Sequence, residues 1–225
     1  MPEDRLKSPR VRLFVALDLP ADALAQLVTW RQEALGARRD LRLPERSALH
    51  VTLVFLGYRW ERDAERIAEL AFSEPAEPFA LRPLEVVEIP PRRPRLYALS
   101  LEDAGERLGA WQGSLAKRLA DAGLYELEKR PFWPHVTLAR FKETERHRGG
   151  GPAPRRGSGA PQAAGPPPEL PDELQTPFEA VRATLYKSTL RPQGALYEPL
   201  TRVSLASGAV GDAASKPASS SQTGT

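Results

Sequence analysis

The chain has 225 residues, 41% of them hydrophobic and 27% charged, with 32 Lys+Arg against 29 Asp+Glu for a net charge of +3. That is enough apolar sequence for the core of one large domain or two small lobes. The absence of cysteine excludes a disulfide framework, an iron–sulfur cluster, a thiolate nucleophile and Cys-ligated zinc. No apolar run reaches the roughly 18 residues of a membrane span, and Met1–Pro9 lacks the apolar stretch of a secretory leader. A cytoplasmic protein with no membrane partner is expected. Arginine outnumbers lysine 26 to 6, which fits GC-rich codon usage as readily as planar phosphate recognition.

In chain order, Val11–Leu17 is an apolar run of strand length, ended by Asp18-Leu19-Pro20. Ala21–Leu35 repeats apolar residues at helical spacing. His50–Leu56 is a β-branched and aromatic strand closed by Gly57, and Arg62–Phe72 reads as a second helix. Phe79–Ile89 and Arg95–Leu101 alternate as two strands joined by the turn Pro90–Pro94. Leu108–Ala122 is a third helix stopped by Gly123, followed by strands over His135–Phe141, Phe178–Tyr186 and Ala195–Leu205. Between them, residues 143–177 form a Gly/Pro/Arg-rich stretch expected to be a flexible loop. The Ser/Ala-rich 207–225 is expected to be a disordered tail, leaving 1–206 as one α+β domain.

Two of the three histidines open the same tetrapeptide. His50-Val51-Thr52-Leu53 and His135-Val136-Thr137-Leu138 lie 85 residues apart, each in a predicted strand. Alternation along a strand puts His50 with Thr52, and His135 with Thr137, on one face, with valine and leucine on the other. One such pair would be an ordinary exposed face; the repeat implies two lobes related by an approximate twofold, their imidazole–hydroxyl pairs facing across a cleft. The third histidine, His147, sits among Arg146 and Arg148 beside the Gly-rich stretch and reads as solvated.

These tetrads match the H-x-T-x motifs of the two-histidine (2H) phosphoesterases. With Arg12–Pro20, Leu49–Gly57, Arg130–Arg140, Leu185–Ser188 and Tyr197–Leu200 in order around them, the chain resembles the RNA 2′,3′-cyclic phosphodiesterase branch, also described as 2′-5′ RNA ligases. The resemblance implies two pseudo-twofold-related lobes, each an antiparallel sheet with helices packed outside and the active-site cleft between. It implies hydrolysis of RNA 2′,3′-cyclic phosphate ends to 2′-phosphates. It also implies His50 as proton donor to the leaving oxygen and His135 as proton acceptor from water; spacing alone leaves the two sites equivalent.

The residue types suit that chemistry. Two imidazoles can supply the acid and the base that a phosphodiester needs, and the Thr52 and Thr137 hydroxyls can donate to the non-bridging oxygens. No metal-binding spacing such as H-x-x-x-H or H-E-x-x-H is present, so neither metal nor cofactor is expected. Arg140 stands five residues after His135, which on a regular strand would turn it to the other face; reaching a phosphate requires a bend. Phe14 and Trp133 are candidates for base stacking, while Arg130, Arg92, Arg93 and Arg95 read as solvated or turn residues. The partner expected is RNA with a cyclic phosphate end, bound by a monomer. The alternatives are the reverse reaction, a 2′-5′ ligation at the same site, and a non-catalytic RNA-end-binding module.

Overall fold

The computed structural model describes residues 8–91, 93–142, 165–191 and 194–205. Nine strands are interleaved with three helices: β1 (Arg10–Asp18), α1 (Ala21–Leu35), β2 (Leu41–Arg42), β3 (His50–Trp60), α2 (Ala64–Ala71), β4 (Phe79–Ile89), β5 (Leu96–Asp103), α3 (Arg107–Asp121), β6 (His135–Phe141), β7 (Phe178–Ala180), β8 (Arg182–Arg191) and β9 (Gly194–Ser204). All strands join one sheet in the order β7-β4-β5-β6-β3-β1-β8-β9, with β2 beside β6. Every pairing is antiparallel.

Phe178–Tyr186, read as one strand, divides at Val181: β7 pairs with β4 and β8 with β1. Strands one residue apart in the chain therefore lie toward opposite ends of the sheet path. This requires the sheet to curl, and the Leu205 N–H bonds to the Val181 carbonyl at 2.8 Å where the ends approach. The curl separates a face covered by helices from an open face. Strand residues such as Leu13, Val15, Leu17, Val51, Leu99, Val136 and Leu138 are buried with α1 residues Leu27 and Leu35 and α3 residues Leu108, Leu115 and Leu119. Each fully buried leucine of this kind contributes about 1.5–3 kcal/mol.

One further expectation needs correction, and two features were not foreseen. Gly57 does not close its strand; at φ +70° it takes a backbone conformation that side-chain-bearing residues resist, and β3 runs on to Trp60. Residues 165–177 hold no strand or α-helix, as a loop should, but they are anchored: Leu170 is buried, Leu174 packs on the core, and Asp172–Gln175 form a 3₁₀ turn. Two leucines suffice to anchor that part of the stretch. The dipeptide strand β2 was not anticipated, being too short to show a period. Residues 143–164, which include His147, the tail from 206 onward, and Arg92 lie outside the described residues. Among the described residues no helix is long and apolar enough to cross a membrane.

Candidate active site

β3 and β6 lie side by side at the centre of the sheet, and their pairing is Val51 opposite Val136. These are the second residues of the two tetrads, so a local twofold passes between them. It carries β3 onto β6 and β1 onto β5. The flanking registers obey it: Ala16, Leu17 and Asp18 stand opposite Thr52, Val51 and His50, as Ala98, Leu99 and Ser100 stand opposite Thr137, Val136 and His135. Val51, Leu53, Val136 and Leu138 are buried under the helices. Both histidines and both threonines are half-buried on the open face and line a single cleft of about 750 Å³, within the range of small-ligand sites.

Both tetrads end in a bulge. Val15 pairs with Val54 and Ala16 with Thr52, leaving Leu53 unopposed; Tyr97 pairs with Ala139 and Ala98 with Thr137, leaving Leu138 unopposed. An extra residue reverses the alternation beyond it. This is the bend that Arg140 requires, and it turns Arg140 into the cleft beside His135 and Thr137. At the matching position of the other half stands Phe55, also on the cleft. The carbonyls that the bulges free are taken by helix side chains: Gln112 Nε2 donates to Leu53 O at 3.1 Å and Arg31 Nη1 to Leu138 O at 3.4 Å.

The two histidines differ in their surroundings. The His50 ring stacks on Phe14 at 4.9 Å and meets the edge of Tyr197 at 5.3 Å. Burial among these rings pushes its pKa down from 6.5 to about 4, with the charges of His135 and Arg140 acting the same way and the Asp18 carboxylate opposing them. Its Nδ1 edge is buried without a hydrogen-bond partner; the Ala48 carbonyl nearby favours the charged ring but falls short of bonding geometry. His135 instead bonds through Nδ1 to the Trp133 carbonyl at 2.9 Å, two residues before it as Ala48 is before His50. The Trp133 ring covers His135 face to face at 4.4 Å, and its Nε1–H donates to Ser100 Oγ at 3.1 Å.

Asp18 occupies the place that Ser100 holds in the other half. Its carboxylate accepts from Arg182 Nε at 2.5 Å, Thr184 Oγ1 at 2.9 Å and Tyr186 Oη at 2.7 Å. Burial, and then the Asp18 carboxylate, push the Tyr186 phenol up to about 12, so it remains a donor. Tyr186 stacks in turn on Phe14 at 5.2 Å.

Of the expected site residues, the cleft collects His50, Thr52, His135, Thr137, Arg140 and Phe14. Phe14 lines the cleft but is 3% exposed, with its ring packed on His50 and Tyr186. Trp133 is 37% exposed but spends one face on His135. Arg130, Arg93 and Arg95 are exposed and away from the cleft lining. Arg12, Arg42, Arg191, Ser47 and Tyr197 line the cleft as well and were not singled out from the sequence; strand register brings four of them there, and Ser47 comes from the 3₁₀ turn before β3. Arg12, Arg42, Arg140 and Arg191 against Glu45 make the cleft cationic, the field an anionic ligand needs. Among the described residues no group of three His, Asp or Glu could hold a metal ion. A second, water-sized pocket of about 30 Å³ between α1 and β4 has no titratable lining.

A family model described as the 2′-5′ RNA ligase superfamily matches residues 19–148. A curated Escherichia coli protein named RNA 2′,3′-cyclic phosphodiesterase is 33% identical over 144 residues, covering 57% of this chain and 71% of that protein. One of the same name from Methanocaldococcus jannaschii is 24% identical over 195 residues, covering 84% and 97%. The crystal structure of E. coli LigT in apo form superimposes with a TM-score of 0.68 at 25% identity, over 88% of this chain and 99% of that one.

Proposed function

The chain belongs to the 2′-5′ RNA ligase superfamily, and from that premise we propose that it is an RNA 2′,3′-cyclic phosphodiesterase. It opens the cyclic phosphate at an RNA end to a 2′-phosphate by acid–base catalysis from His50 and His135, without a metal. The observation that carries this reading is the pair of imidazole–hydroxyl half-sites facing one cationic cleft across a local twofold.

In the proposed reaction His135 takes a proton from water as the water oxygen bonds to phosphorus. The bond from phosphorus to the ribose 3′ oxygen breaks, and His50 protonates that oxygen. The Nδ1–H of His135, held by the Trp133 carbonyl, leaves Nε2 as the basic nitrogen. Thr52, Thr137 and Arg140 donate to the non-bridging oxygens, where charge accumulates. For His50 to donate it must first carry a proton, which burial disfavours in the free protein. The phosphodiester supplies the counter-charge: a unit charge about 4 Å away is worth about 4 kcal/mol at an effective dielectric of about 20, or about three pH units. That is enough to return the ring to the neutral range on binding.

Both half-sites come from one chain, which supports a monomer as the working unit, and RNA as substrate supports a cytoplasmic place of action. The test is incubation with an oligoribonucleotide ending in a 2′,3′-cyclic phosphate in excess EDTA, with chromatographic identification of the product. A 2′-phosphate end is expected, and it is lost in His50→Ala and His135→Ala. A 3′-phosphate would mean that the other ester bond breaks. No product with RNA binding retained would leave a binding module, and joining to an added 5′-hydroxyl RNA in preference to hydrolysis would make the enzyme a ligase.

A further inference from the structure

The open face of the sheet continues past the cleft, from Arg12 and Phe55 in its lining to Arg10, Tyr58 and Trp60 beyond it. On β1, Phe14, Arg12 and Arg10 follow one another at every second position and share a face. Phe14 packs on His50, which identifies that face as the catalytic one. The Arg12 guanidinium lies over the Phe55 ring at 4.5 Å and the Arg10 guanidinium over Trp60 at 5.5 Å, with Arg62 at 5.3 Å from the same ring. Arg10 Nη2 also donates to the Tyr58 carbonyl at 2.9 Å. Phe55, Tyr58 and Trp60 are 40, 54 and 37% exposed.

Rings and guanidiniums thus alternate along the seam between β1 and β3. Neither Arg10 nor Arg12 forms an ion pair among the described residues, and the neighbouring Glu61 carboxylate is taken by Lys187 at 2.7 Å. His50 stands opposite Asp18 and Trp60 opposite Arg10, eight β1 residues apart, so the far ring lies roughly 26 Å from the histidine at about 3.3 Å per residue. No mononucleotide spans that distance. An RNA whose 3′ end carries the cyclic phosphate has its remaining nucleotides running 5′ from the site.

We propose that this seam is the binding track for the single-stranded RNA preceding the cyclic phosphate, with Trp60 and Tyr58 stacking bases and Arg10 and Arg12 contacting the backbone. The proposal rests on the cyclic-phosphodiesterase reading. Alternating aromatic and cationic side chains suit a flexible strand of mixed sequence, because every base has a face to stack and every linkage a charge. The track therefore confers preference for length and little preference for sequence.

The test compares a 2′,3′-cyclic mononucleotide with oligoribonucleotides of two to eight residues carrying the same end. KM is expected to fall with length over the first several nucleotides and then level. Trp60→Ala raises the octamer KM about tenfold with the mononucleotide kcat/KM unchanged, and Trp60→Phe restores most of it. Arg10→Gln lessens the salt slope of octamer KM by about 0.7. A KM independent of length, or a Trp60→Ala loss equal on both substrates, overturns the track. Trp60-dependent binding of an octamer ending in a 2′-phosphate, in a protein that hydrolyses no substrate, would uphold the track and overturn the catalytic reading instead.

Discussion

The β1–α1–β3 half and the β5–α3–β6 half present the same tetrapeptide in the same register, yet they make two different histidines. Around His50 the flanking positions hold Phe14, Phe55 and Asp18; around His135 the corresponding positions hold Leu96, Arg140 and Ser100. One imidazole is packed among rings and held neutral. The other is stacked on one tryptophan, tethered through Nδ1 and has Arg140 beside it on its own strand. In the proposed reaction, repetition supplies the two titratable groups, and the residues that break the repetition supply their difference. An acid–base pair needs that difference, since two identical imidazoles would titrate together.

The largest break in the comparison removes either ring. His50→Ala and His135→Ala should each lower kcat/KM by about 10²–10⁴, and the double variant should be little worse than the poorer single one, because the two act on one transition state. Steady-state assays of all three on one cyclic-phosphate oligonucleotide check this; simple multiplication of the single losses would mean independent roles. Thr137→Val or Arg140→Ala should cost about 10²-fold each, mostly in kcat, as expected for donors to a developing charge. A change confined to KM would make them ground-state contacts.

How much of this was legible beforehand follows from the range of each signal. The two tetrads, the strand faces and the three helices are local patterns, and α1 occupies the residues its period indicated. The need for a bend before Arg140 followed from counting alternate positions, and the bulge at Leu138 provides it. Asp18 read only as a strand end before a proline, because nothing local says that β1 lies beside β3 with Asp18 opposite His50. Tyr186 and Tyr197 reach the site from two further strands. The burial of Phe14 is likewise a product of long-range register. Leu170 and Leu174 were overlooked for a different reason: two apolar residues in a Pro/Gly-rich stretch do not make a period.

Smaller changes sharpen the contrast between halves. Asp18→Ser copies Ser100, leaves Arg182, Thr184 and Tyr186 without their acceptor, and should cost about 1–3 kcal/mol in denaturant unfolding. By removing a carboxylate that favours charged His50, it should also move that imidazole further down in an NMR titration. Phe14→Leu copies Leu96 and should raise the His50 pKa back toward 6.5, with activity lowered only severalfold. Its stability profile carries the same sign. A ring at about 4 when folded and about 6.5 when unfolded gives stability that is present above pH 6.5 and lost as pH falls toward 4. Phe14→Leu should flatten that loss; an unchanged slope would place its origin elsewhere.

The division of labour between the halves is tested most directly by the leaving group. A cyclic phosphate with sulfur in place of the 3′ oxygen expels a thiolate that needs no proton, so it makes the general acid dispensable and leaves the base in demand. With that substrate His50→Ala should recover most of its lost rate while His135→Ala stays impaired. Rescue of His135→Ala instead, or of both alike, would contradict the assignment of His50 as acid and His135 as base.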